Sequence, residues 1–121
     1  MKVIKYGVCL NRLTETDIEL VRNWRNDPKI SQYMEYREYI TPEMQYNWFQ
    51  KINNEHNYYF IAEYYNKKIG LKNIKDIDMV RKCGETGIFI YDDQYLNGDV
   101  SFRCALCNID FAFENLNLNF L

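Results

Sequence analysis

Residues 85–113 read ETGIFIYDDQYLNGDVSFRCALCNIDFAF, and this stretch decides the fold. Glu85 to Tyr91 is a strand pattern, with Ile88 and Ile90 on one face and Phe89 and Tyr91 on the other. Asp92 to Gly98 is rich in turn formers, and Val100 to Leu116 has the spacing of a long helix. Cys104 and Cys107 share one face of that helix and are expected to pack into the core. A structural zinc site needs about four ligands, and the chain offers no second pair, so no metal is expected.

Working outward, Tyr58 to Tyr65 and Lys68 to Ile74 form two strand patterns joined at Asn66-Lys67, and Asp76 to Cys83 is a charged connection. Thr41-Pro42-Glu43 opens a helix with a capping hydroxyl, a proline at the first helical position and an acid for the dipole. Met44, Trp48, Phe49 and Ile52 are its expected buried face. Thr14-Glu15-Thr16-Asp17 has the form of a capping box before Ile18, Val21 and Trp24, and Asn26-Asp27-Pro28 ends that helix. Val3 to Leu10 reads as a first strand, Tyr33 to Ile40 as irregular, and Leu118 to Leu121 as the start of a last strand. The order β-α-α-β-β-β-α-(β) predicts an α+β (mixed α/β) fold in one domain, residues 1–121.

Composition narrows the function classes. Of 121 residues, 47% are apolar and 26% charged, which is ordinary for a globular domain. The net charge of −2 comes with no basic stripe to displace counterions from phosphates, so nucleic acid is not an expected partner. No apolar run reaches transmembrane length and the first residues are too mixed for a signal peptide, which excludes a membrane as partner in this reading. Four cysteines without secretory features suggest free thiols, hence a cytoplasmic location. His56, the one histidine, lies in a polar turn with no nucleophile signature near it, so triad chemistry is not expected.

Six short runs in order resemble the GNAT superfamily of N-acetyltransferases, in the branch that modifies ribosomal-protein N-termini and amino sugars. They are Leu13-Thr14-Glu15 leading to Trp24-Arg25-Asn26-Asp27-Pro28, Ile30 to Met34, Thr41 to Phe49, Tyr59 to Ala62 with Lys68-Ile69-Gly70, Glu85 to Ile90, and Ile109 to Phe113. The resemblance spans nearly the whole chain. It implies a central, mostly antiparallel sheet and acetyl-CoA as cosubstrate, with the pantetheine arm along the strand Glu85–Tyr91 and the diphosphate on the first amides of the next helix. Phe89, Ile90 and Tyr91, then Gly98, Asp99, Val100 and Ser101, are the implied cofactor residues. Where the family has Arg/Gln-x-x-Gly-x-Gly/Ala, this chain has Asp99 and Ser101 at the two glycine positions, and Asp99 sets a carboxylate toward the diphosphate.

Glu85 is the candidate general base, since direct attack on a thioester needs a deprotonated amine. Trp24, Tyr33 and Tyr36 are the candidate acceptor-binding residues. The acceptor implied is a primary amine, on a small molecule such as an amino sugar or on a peptide N-terminus. The family continues past residue 121 through further strands and a helix, so the chain reads as an incomplete GNAT domain lacking the C-terminal part. That leaves two readings: an acetyl-CoA-dependent N-acetyltransferase, or a non-catalytic half-domain serving as a dimerisation or binding module. An exposed sheet edge favours a homodimer.

Overall fold

The computed structural model describes residues 1–121. Strand β1 (Lys2–Lys5) and strand β2 (Val8–Arg12) form a hairpin, in place of the single strand expected over Val3 to Leu10. The turn between them is Tyr6-Gly7, both left-handed at φ 58° and 73°, the backbone that suits the twist of a two-residue hairpin. Tyrosine is an unusual residue there, so the sequence carried little turn signal. The Tyr6 hydroxyl donates to Asp110, and Lys5 Nζ lies 2.8 Å from the same carboxylate. These contacts tie the turn to the last helix.

The Thr14 N–H donates to Asp17 Oδ2 at 3.1 Å, and after a short 3-10 turn helix α1 (Ile18–Asn26) buries Ile18, Val21 and Trp24. Asp27 ends α1 and caps a one-turn helix α2 (Pro28–Ser31), accepting from the Lys29 N–H at 3.0 Å. Helix α3 (Pro42–Ile52) starts at the expected cap, Thr41 Oγ1 accepting from the Met44 N–H at 3.1 Å. Its buried face is turned from the expectation: Gln45 and Phe49 are buried, Trp48 is half-buried and Met44 is exposed. Gln45 is tolerated inside because its Nε2 donates to Ile18 O of α1 at 2.9 Å.

Strands β3 (Tyr58–Tyr64) and β4 (Lys67–Asp78) turn at Tyr65-Asn66, one residue earlier than expected, with both residues left-handed. β4 continues through part of the segment read as a connection, with a register irregularity between Lys75 and Asp78. Strand β5 (Cys83–Ile90) follows, and helix α4 (Asp99–Glu114) ends the regular structure. The five strands lie in sequence order, all antiparallel. Phe120 adds a parallel bridge beside Cys83, where the last strand was expected.

Three layers result. Val8, Leu10, Phe60, Ala62, Ile74 and Ile90 face α4, which contributes Val100, Cys104, Cys107 and Phe111. Tyr59, Ile61 and Leu71 face Val21 and Trp24 of α1 and Phe49 of α3. The expected alternation of β5 fails at one residue. Ile90 joins the α4 layer, yet Ile88 packs with Phe89 and Tyr91 on the other side. Ile88 has φ 102°, a left-handed value that a β-branched residue adopts only under strain, and that twist turns its side chain over.

Beyond β5, Tyr91 stacks on Trp24 with ring centroids 5.3 Å apart, and its hydroxyl donates to Asp27 Oδ2 at 2.7 Å. That hydroxyl, with the Lys29 amide, holds the Asp27 carboxyl below its ordinary value. A depressed carboxyl stabilises the fold above its unfolded pKa, about 4, and the contribution is lost as pH falls through the folded value. Tyr91→Phe is therefore expected to lower stability at pH 7, with the deficit shrinking by pH 3; urea unfolding at the two pH values checks this. A second prediction concerns β4 and β5. A Cβ on Gly70 would lie 2.6 Å from Phe89 O, whereas one on Gly87 meets nothing within 4 Å. Gly70→Ala should lose about 1–3 kcal/mol in urea unfolding, the usual range for overpacking, and Gly87→Ala within about 0.5 kcal/mol of wild type.

Candidate functional site

A groove of about 700 Å³ runs along the edge of β5, between α2 and the start of α4. Ile88, Phe89 and Ile90 form its floor. Lys29, Ile30, Tyr33 and Met34 line one side; Leu96, Asn97 and Ser101 line the other, with Lys72 reaching in from β4. The Tyr91 N–H donates to Ile69 O at 2.7 Å. By the alternation of an antiparallel ladder, the Phe89 amide also faces β4 and the Ile90 amide faces the free edge. Of the backbone donors expected over Phe89 to Tyr91, the Ile90 N–H is thus the one presented to the groove.

The groove's far end is the N-terminus of α4. Its first intrahelical bond runs from the Phe102 N–H to Gly98 O, and Gly98 gives no side-chain cap. The amides of Asp99, Val100 and Ser101 are left without intrahelical acceptors, on the positive end of the helix dipole. Gly98 itself has extended backbone at φ −129°, which any residue can adopt. Val100 points into the core. The Asp99 carboxylate pairs with Arg103 at 3.0 Å, which partly offsets its charge. Two cations line the groove. Lys29 Nζ donates to Tyr91 O at 2.8 Å and sits 3.4 Å from Asp93. Lys72 has no carboxylate within 4.0 Å, and burial pulls its pKa below the ordinary value.

A second cavity, of about 510 Å³, opens on the α1 and α3 side of the same strand. It is lined by Arg25 of α1, Met34, Glu35 and Tyr36 of the following segment, Trp48 of α3, Tyr59, Asn73 and Lys75 of the sheet, and Ile88. Met34 and Ile88 line both spaces, so groove and cavity meet at Ile88, where β5 is twisted. Asn73 is 2% exposed and its Oδ1 has no hydrogen-bond partner. The backbone beneath it is held by buried Asn108, whose Nδ2 donates to Asn73 O at 2.8 Å and to Thr86 Oγ1 at 2.7 Å.

The expected site residues divide by position. Phe89, Ile90, Ser101 and Tyr33 line the groove, and Tyr36 lines the cavity. Trp24 lines neither and packs between Tyr91 and Phe89. Glu85 lines neither; it is exposed and lies 3.6 Å from Lys75. Cys104 and Cys107 are buried free thiols that burial pushes up, Cys107 to about 11, so neither is a thiolate nucleophile at neutral pH. The sequence reading missed Lys29, Lys72, Arg25 and Glu35. Arg25 sat inside a run noted only for its resemblance, Lys29 fell between two such runs, and Lys72 lay inside a strand pattern.

This donor set fits a long cosubstrate carrying a diphosphate: unpaired helix amides, an uncompensated lysine, and a sheet edge able to add an extended amide chain. No curated protein sequence matches the chain. Among solved structures, the spermidine N-acetyltransferase of Vibrio cholerae in complex with CoA and spermine superposes with a TM-score of 0.75 at 19% identity, covering 94% of this chain and 68% of that one. A chimeric form of the same enzyme gives 0.73 at 18%, covering 93% and 66%, and a dodecameric form gives 0.73 at 20%, covering 94% and 67%. The chain thus spans about two-thirds of the length of these structures, which share its fold. GNAT acetyltransferases use acetyl-CoA. The model of the GNAT acetyltransferase domain matches residues 8–121, and the chain belongs to that family.

Proposed function

We propose that the chain carries the cosubstrate-binding and transfer site of an acetyl-CoA-dependent N-acetyltransferase acting on a primary amine, such as an amino sugar or a peptide N-terminus. One observation supports this most: two spaces on different sides of β5 meet at Ile88. Direct transfer between two substrates needs both to reach one point from separate directions.

The bound cosubstrate supplies the thioester carbonyl as electrophile. In this reading the free amides of Asp99 to Ser101 and the Lys72 ammonium hold its phosphates, and the Ile90 N–H pairs with its amide arm. The acceptor enters through the cavity. Glu35, a carboxylate on that cavity's wall, attracts the acceptor's ammonium, and the aromatic faces of Tyr36, Trp48 and Tyr59 exclude water from it. Glu85 lines neither space and is not part of this proposal.

Asp99 is the residue that opposes the reading. Its carboxylate stands on the first turn of α4 beside the diphosphate position, and Arg103 compensates it only at the surface. Titration calorimetry is expected to give micromolar acetyl-CoA binding, and Asp99→Asn is expected to tighten it a few-fold. No detectable heat with either protein would overturn the proposal.

A further inference from the structure

Arg25 is the one cation in the acceptor cavity that nothing in the chain accounts for. It lines that cavity together with Tyr36 and Trp48, and the same three residues line an adjoining cavity of about 270 Å³ between α3 and the segment after α2. Its guanidinium carries five donors, yet it makes no hydrogen bond within the chain, and its Nε is buried without a partner. No carboxylate lies within 4.0 Å of it. Burial pulls its pKa down, though an arginine stays charged at neutral pH.

Such an arrangement is unfavourable in the protein alone. A half-buried charge with no partner loses hydration without gaining an ion pair. Two other arginines differ: Arg22 pairs with Glu19, and Arg12 donates to Asn54 O at 2.8 Å. Lys75, also on the cavity wall, lies 3.6 Å from Glu85. With Lys75 taken up by Glu85, Arg25 and Glu35 are the two unpaired charges of the lining, one of each sign.

We infer that the acceptor carries an anionic group, a carboxylate or a phosphate, close to its amine, and that Arg25 binds this group through its planar fork while Glu35 faces the amine. The inference rests on the transfer site proposed above and narrows its acceptor class. A carboxylate and a phosphate offer the same paired oxygens to a guanidinium. A polyamine, by contrast, would bring only positive charge to Arg25. The acceptor class thereby differs from the spermine seen with one structural relative.

The test uses two pairs of probes that differ in the anion alone: L-phenylalanine against L-phenylalaninamide, and glucosamine 6-phosphate against glucosamine, with spermidine as the polycation. Binding is read by calorimetry on the intact chain, and transfer by release of CoA from acetyl-CoA. The anionic member of at least one pair should bind about tenfold or more tightly than its neutral partner, the scale of one charge-assisted bond, and the two pairs tell carboxylate from phosphate. Arg25→Gln should erase that discrimination and Arg25→Lys keep part of it. Arg25→Met should leave the thermal midpoint unchanged or raise it, since it removes a desolvated charge. Equal or tighter binding of the neutral probes or of spermidine overturns the inference, as does a fall in midpoint on Arg25→Met, which would make Arg25 a structural cation. Arg25-dependent binding of the anion without CoA release would support the inference while refuting the transferase reading. CoA release with spermidine, indifferent to Arg25, would do the reverse.

Discussion

The site depends on the backbone twist at Ile88. Regular alternation would place Ile88 beside its cross-strand partner Lys72, on the α4 side of the sheet. Its left-handed φ sends it to the opposite side, next to Phe89. A β-branched residue in that region costs about 1–3 kcal/mol, so the surroundings must enforce it. They do so from both sides: Phe89 and Tyr91 are held against Trp24, and Ile90 is locked under α4. The twist removes a side chain from the α4 side of β5, leaving Lys72 there as a groove residue, and makes Ile88 the wall shared by two cavities.

Electrostatics then separate the two sides. On the groove side, helix amides and Lys72 await negative charge, with Asp99 as the opposing element. On the cavity side, Arg25 and Glu35 are the unpaired charges, since Lys75 stands 3.6 Å from Glu85. Asp27, paired with Tyr91, and Asp92, paired with Lys67, lie outside the groove and brace its walls, while Asp93 lines the groove and pairs with Lys29. One cation in each space, Lys72 in the groove and Arg25 in the cavity, is thus left without a carboxylate partner, while Lys29 and Lys75 are paired.

Much of the fold was legible because its signals are local. The Thr41 cap, the Asp27-Pro28 stop and the periodicity of Val100 to Phe111 each act within a few residues, and each is found in place. The misreadings come from tertiary contacts that override local preference. Tyr6 turns a hairpin because Asp110 holds its hydroxyl; Gln45 is buried because Ile18 O takes its amide; Ile88 reverses because its neighbours are clamped. In the site, the strand and helix ends that line the groove followed from the resemblance, since backbone position carries the function there. Arg25 and Lys72 did not, because only burial and the lack of a partner distinguish them from surface cations. Glu85 was favoured by its place at the start of a strand; it lines neither space, and its contact is with Lys75 on the cavity wall.

The central claim is that the edge of β5 and the first turn of α4 form one continuous binding surface for acetyl-CoA. Amide chemical shifts of the nitrogen-15-labelled chain, recorded as acetyl-CoA is added, test it residue by residue. The account predicts that the amides of Ile88, Ile90 and Asp99 to Ser101 move together along one saturation curve while those of the β1–β2 hairpin stay in place. Shifts confined to other surfaces, or unchanged amides at Ile90 and Ser101 under saturating cosubstrate, would contradict it.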